Sequence, residues 1–235
     1  MHPLDRYLAQ YFLDSEHLAQ RCGIKREELA RLVEIAVIPA ASYTVTDASL
    51  VTSFAMGQME APGATTGEYF HPSTTLWVRK ALRFMKLYGW QDAHGRLRAD
   101  FHRNLHAALA AINATRWRLT DCFTGDGSPI AEALRSRLDK FWLHFLRGTF
   151  GLCVAMPDSE AAIAHKETTQ ERLVALTENG TKADYTPAEA AQVLQLAEVY
   201  ERATMPFSPV DYPISSRKRL VDDLRARLLQ DHAAS

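Results

Sequence analysis

The sequence is short of the features that announce the commonest enzyme classes. It has three cysteines, Cys22, Cys122 and Cys153, far apart and with no C-x-x-C among them. An odd, scattered set argues against a disulfide framework and for a reducing cytoplasm. No glycine-rich phosphate loop, nucleophile elbow or clustered cysteine site occurs. The net charge is −1, so no global field selects nucleic acid or membrane as partner. The most apolar stretch, FWLHFLRGTFGLCVAM at residues 141–156, contains His144 and Arg147. A spanning helix needs about 20 apolar residues and rarely carries a lone Arg. The stretch therefore reads as a central core helix. The start, MHPLDRYLAQYFLDSEHL, lacks a basic segment followed by an apolar one, so no signal peptide is expected.

What remains is an ordinary globular composition, 47% hydrophobic and 23% charged, enough for one large domain or a domain with a small appendage. The pattern predicts a mainly α protein, with a small N-terminal helix-turn-helix module on a bundle of about six helices. Residues 1–45 form the module. Leu13, Leu18 and Ala19 mark a first helix, Gly23 the bend, and Leu29, Leu32, Val33 and Ala36 a second helix that Pro39 stops. Residues 46–75, rich in Ser, Thr, Ala and Gly, read as a loop-rich connector, and SYTV (residues 42–45) just before it reads as one short strand. Residues 76–235 are the helical body. Its first helix is expected to end at Gly89, with QDAHGRLR as a turn and Asp100 capping the next helix to about Trp117. Ser128-Pro129 would open a long buried helix that Pro157 terminates. A helix from Ser159 to Glu178 follows, then one opened by the capping box Thr186-Pro187-Ala188-Glu189. Leu220, Val221, Leu224 and Leu228 mark the last.

Charge is uneven within the neutral total. Residues 79–118 carry nine basic and two acidic side chains, whereas residues 155–204 carry nine acidic and four basic. These are either two surfaces that partly neutralise one another, or an anion-binding face on the helices after the connector. The helix-turn-helix lacks such a bias: residues 1–45 hold five basic and six acidic side chains. Duplex DNA binding rests on phosphate neutralisation, so DNA is not expected as a partner.

Candidate site residues follow from chemistry. His144 and Arg147 lie among Phe141, Trp142, Phe145 and Phe150. A buried Arg needs a partner. It would clamp an anion in an interior cavity while His144 exchanges a proton, or it would pair with Glu160, Glu167 or Asp139 and merely order the bundle. Tyr69 and His71 (GEYFHP) and Asp211 and Tyr212 (PVDYP) sit beside aromatics in irregular segments and are candidate ligand-binding groups, together with Arg79 and Arg83. His102 and His106, at i and i+4, suit two metal ligands on one helix face, or two solvated histidines at the edge of the core. No cofactor is specified. The expected partner is a small anionic molecule or an acidic carrier protein, without membrane, and a homodimer is compatible with the pattern.

Two stretches carry a resemblance. MPFSPVDYPISSRKRLVDDLRARL, with Ser215–Asp222 as its most specific part, and YFLDSEHLAQRCGIKREELARLVEIAVIPAASY resemble a bacterial family of unknown function, DUF6058. Its members are described as natural product biosynthesis proteins. The resemblance implies a setting in secondary metabolism and brings no catalytic residue. The N-terminal module is also similar to the first two helices of MerR-type regulators, but ELARLVEIA and the segment after it lack the basic residues of that family.

Overall fold

The computed structural model describes residues 2–47 and 49–233; Met1, Ala48, Ala234 and Ser235, which fall in the three predicted segments, lie outside it. The protein is mainly α-helical with a small sheet. Helix α1 (Pro3–Tyr11) leads to a two-residue strand β1 (Leu13–Asp14) and helix α2 (Ser15–Cys22). Asp14 caps α2 by accepting from the His17 amide at 2.8 Å, and Gly23 leaves it with φ 70°. Only glycine takes that conformation without cost, so the predicted bend is fixed there. Helix α3 (Arg26–Glu34) buries Leu29 and Leu32.

The predicted connector is instead most of a sheet. Strands β2 (Tyr43–Val45), β3 (Leu50–Ser53), β4 (Gly57–Glu60) and β5 (Gly67–Phe70) join β1 in the antiparallel order β1-β5-β2-β3-β4. Tyr43 pairs with Tyr69, Val51 with Met59 and Leu13 with Phe70. Each strand is only two to four residues long. A period of two has no room to show over so few positions, and long-range pairing supplies what local pattern does not.

Helical element α4 (Thr74–Thr115) runs across the body and is broken at Gly89, which has φ 79° and ψ 165°. The predicted turn after it is helical. Ala93, Leu97, Phe101, Leu105 and Leu109 are buried at helical spacing, so one continuous apolar stripe carries the segment through QDAHGRLR. Helix α5 (Ala131–Leu146) starts later than expected, because Pro129 is held in a bridge to Phe123. It also stops early. Gly148 has φ 71° and starts a separate short helix, α6 (Thr149–Cys153). A Cβ at Gly148 would lie 2.5 Å from the Ala40 carbonyl oxygen and one at Gly151 2.4 Å from Ser42 Oγ. The two glycines let this chain run against the N-terminal unit, and the Ala40 amide donates to the Leu146 carbonyl at 2.9 Å across the seam.

Helix α7 (Glu160–Thr177) is capped by Ser159, and α8 (Pro187–Ala203) by the predicted Thr186–Glu189 box. A π-turn at Lys218–Asp222 leads into α9 (Asp223–Ala233). A large core joins α1–α3 and the sheet to α4–α6. A second core, of Leu173, Ala190, Val193, Ala197, Tyr200, Leu220, Val221, Leu224 and Leu228, holds α7, α8 and the C-terminal segment. Among the described residues no helix is long and apolar enough to cross a membrane.

Candidate functional site

A cleft of about 600 Å³ opens between the end of α4 and one face each of α7 and α8. Three local features build it. At the end of α4 the Arg116 and Trp117 amides both donate to the Ile112 carbonyl, and buried Asn113 accepts from the Leu119 amide at 2.8 Å. This fixes the tight turn that aims Arg116 and Trp117. On α7, His165, Thr168, Thr169 and Arg172 fall at i, i+3, i+4 and i+7, one helical face. Gln192, Gln195, Leu196 and Val199 do the same on α8.

Trp117 and Ile112 give the cleft an apolar wall, opposite Leu196 and Val199. Two guanidinium groups face it. Arg172 lies 5.3 Å above the Trp117 ring, and its Nε is buried without a hydrogen-bond partner. Arg116 lies 2.9 Å from His165 Nδ1. A guanidinium only donates, so that nitrogen must accept and the imidazole is neutral with its proton on Nε2. Burial first, and then the Arg116 charge, hold His165 below the usual histidine range. Neither arginine has a carboxylate within 4 Å among the described residues. No Asp or Glu lines the cleft. The hydroxyls of Thr168 and Thr169 donate to the Ala164 and His165 carbonyls, leaving lone pairs rather than protons toward the opening. The arrangement can bind a compact negative group at one end and a flat apolar body against the tryptophan.

The residues singled out from sequence are placed elsewhere. His144 is half-buried, with Nδ1 3.3 Å from Thr149 Oγ1, and it lines a second cavity of about 210 Å³. That cavity also holds Cys153, Lys166, Glu167 and Gln170. Buried Lys166 donates to Glu167 at 2.8 Å and Gln170 at 2.7 Å. The Cys153 thiol is pushed up by burial to about 11, too high for an active thiolate.

Arg147, expected beside His144 in the interior, is exposed. It caps the end of α5 and its guanidinium lies 5.5 Å over the ring of Phe54, outside the cavity. The apolar face of α5 consists of Leu138, Phe141, Trp142 and Phe145, and the chain turns away after Leu146. The acids offered as its partners are held by others: Glu160 by Lys80 at 2.9 Å, Glu167 by Lys166, and Asp139 by Arg98 at 2.7 Å. The two residues therefore do not converge on one guest.

Tyr69 donates to the Thr65 carbonyl at 2.9 Å and lines a third cleft, of about 430 Å³, in the N-terminal unit. His71 is buried at the seam, where its Nδ1 accepts from the Ser73 amide at 3.0 Å. Burial lowers it to about 4. Asp211 is fully buried, accepts from Tyr43 Oη and from Ser208 Oγ at 2.7 Å, and leaves Oδ1 without a partner; burial raises its carboxyl. Tyr212 is exposed and donates to Asp222 at 2.9 Å. Arg79 and Arg83 are exposed on α4, away from every cleft described above.

The metal reading of His102 and His106 lacks a third ligand. His102 Nε2 stands 3.5 Å from Asp139 without a hydrogen bond, and that carboxylate is engaged by Arg98. His106 faces the ring of Phe123 at 6.3 Å. Among the described residues no three metal-ligating side chains come together. On α3 the exposed basic residues Arg26 and Arg31 alternate with Glu27 and Glu34, a poor surface for phosphates.

Arg116 belongs to the basic stretch of residues 79–118, but the cleft is not apparent from any one segment of the sequence. The available signal was polar and cationic residues at helical spacing on two successive helices, His165–Arg172 and Gln192–Gln195.

A mainly helical protein with a cationic cleft between three helices is the class that the fold defines. Residues 97–229 match the family of unknown function (DUF6058), more than half of the chain, and the protein belongs to that family. Every residue lining the cationic cleft falls within the matched segment, whereas α1–α3 and the sheet fall outside it. No curated protein and no solved structure matches the chain.

Proposed function

We propose that this protein binds a small organic anion with an apolar or aromatic body in the cleft of α4, α7 and α8. One observation carries the reading: Arg116 and Arg172 face one concavity with no carboxylate among the described residues to neutralise them. Arg172 is half-buried with its Nε unpaired, which is costly without a counter-ion, and an anionic guest reduces that cost. The volume lies in the range of small-molecule sites. Trp117 supplies a flat apolar surface, and the neutral His165 supplies a titratable group at the anion's edge.

The protein acts, in this reading, as an accessory protein or enzyme of bacterial natural product biosynthesis, where acidic and carrier-linked intermediates are common substrates. Its three free cysteines, Cys22, Cys122 and Cys153, suit the cytoplasm.

The test is calorimetric titration with benzoate and phenyl phosphate, using benzamide as the neutral control and inorganic phosphate as the control without a ring. The expected result is binding of the aryl anions, none of benzamide, and weaker binding of phosphate. Arg172→Ala and Arg116→Ala should each cost about tenfold to a hundredfold, as for hydrogen bonds to charged groups. Equal binding of benzoate and benzamide, or undiminished binding by both variants, overturns it.

A further inference from the structure

Residues 86–92 are all exposed in the middle of a helical element that is otherwise anchored by buried residues. They surround Gly89, whose φ and ψ of 79° and 165° are open to glycine almost alone. Nothing lies within 4 Å of the position its Cβ would take, so crowding does not impose the break. The break turns α4 at a corner that carries Leu87, Tyr88 and Trp90, which are 59%, 45% and 45% exposed. Tyr88 falls at helical spacing from buried Ala81 and Met85, but the helix breaks one residue later and leaves it exposed.

Cations ring the corner. Arg31 of α3 lies 4.5 Å over the Trp90 ring and Arg96 lies 5.2 Å over Tyr88. Arg83 and Lys86 are exposed beside them, and none of these four has a carboxylate within 4 Å among the described residues. Asp92 on the corner and Glu27 and Glu34 on α3 are the exposed acids of these segments. None of the cavities described above is lined by Leu87, Tyr88 or Trp90. The surface is a projection and not a groove.

We propose that this corner docks on the surface of an anionic lipid bilayer. Leu87, Tyr88 and Trp90 enter the boundary between headgroups and acyl chains, and Arg83, Lys86 and Arg96 face the lipid phosphates. Large aromatic and aliphatic side chains framed by Arg and Lys are the composition of interfacial segments. The sign of the surrounding charge matches an anionic leaflet. A projecting corner fits a surface that deforms around it, whereas single-stranded nucleic acid is held in a channel. At 1.5 Å per helical residue the corner stands roughly 35 Å along α4 from the cationic cleft, so this docking does not depend on what the cleft binds.

The test is co-sedimentation of the full chain with vesicles of phosphatidylcholine alone and of phosphatidylcholine mixed with phosphatidylserine. Binding is expected to the mixed vesicles only and to weaken with added salt. Each of Arg83→Gln, Lys86→Gln and Arg96→Gln should weaken it about fivefold, the effect of one cation near such a surface. Leu87→Ser combined with Trp90→Ser should abolish it. The emission of Trp90, taken as the difference between the wild type and Trp90→Phe, should move to the blue on binding. Should the serine variant fail to fold, the three glutamine variants, at exposed side chains without ion pairs, give an independent reading. The proposal is overturned if mixed vesicles are not bound at low salt, or if binding survives both sets of substitutions. It is overturned equally if the corner instead mediates self-association or single-stranded DNA binding.

Discussion

The protein has two large clefts of opposite charge, and they differ in how much of their chemistry is already used internally. The cleft beside α1 and β1 holds Asp5, Asp14 and Tyr69. Asp5 accepts from the Thr65 amide at 2.7 Å, Asp14 caps α2 and pairs with His17, and Tyr69 donates to the Thr65 carbonyl. Each of these groups is a fastening of the fold. In the cleft of α4, α7 and α8 the guanidinium groups of Arg116 and Arg172 hold the opposite position: among the described residues neither has an acid partner, and one nitrogen of Arg172 is buried and unpaired. The lesson is that exposure and charge do not make a site; unmet hydrogen-bonding capacity in a concavity does.

The sharpest way to break this contrast acts on the seam that holds the two units in place. Gly148→Ala adds a methyl 2.5 Å from the Ala40 carbonyl oxygen at a residue with φ 71°. The left-handed conformation and the overlap together should cost about 3 kcal/mol or more, lowering the melting temperature by roughly 6–12 °C in calorimetry. A melt within a degree of the wild type would show that the seam is loose.

Next in size is a pH effect at the same seam. His71 is held neutral, at about 4, by burial. Its folded value lies below its unfolded one, so the unfolded chain takes up the proton first as pH falls. Stability is complete above about pH 6.5 and falls by about 3 kcal/mol by pH 4. Urea denaturation of His71→Gln across this window should show a shallower pH slope than the wild type; identical slopes would remove His71 from the account.

Substitutions in the two clefts then separate binding from stability. Arg172→Ala should weaken aryl-anion binding about tenfold or more, with little change in stability because no ion pair is lost. Asp14→Ala should do the reverse, costing about 1 kcal/mol through the lost cap and leaving anion binding untouched. Thermal melts run beside titrations read both outcomes. If Arg172→Ala destabilises the fold more than Asp14→Ala does, the cationic cleft is also a fastening, and the contrast fails.

Much of the helical body was legible in the sequence because its signals are local. The Thr186–Glu189 box, the helix start at Ser159, the Gly23 bend and the spacing of Leu220, Val221, Leu224 and Leu228 all depend on residues close to each other in sequence. The sheet was not legible, since strands such as Tyr43–Val45 acquire their meaning only from partners far along the chain. The break at Gly148 answers to the Ala40 carbonyl, which periodicity within residues 141–156 does not reveal. The candidate site failed for the same reason. His144 and Arg147 were joined by nearness in sequence, yet one lines a cavity and the other lies on the surface over Phe54. Arg116, His165 and Arg172 meet only because α4 and α7 pack side by side.

The most direct measurement is the imidazole titration of His165, followed by NMR with and without phenyl phosphate. In the free protein burial and the Arg116 charge hold it below the usual histidine range. An anion seated between Arg116 and Arg172 should raise it, so that binding takes up a proton and tightens as pH falls below neutrality. An unchanged His165 titration under saturating phenyl phosphate would place the anion somewhere else and contradict the assignment.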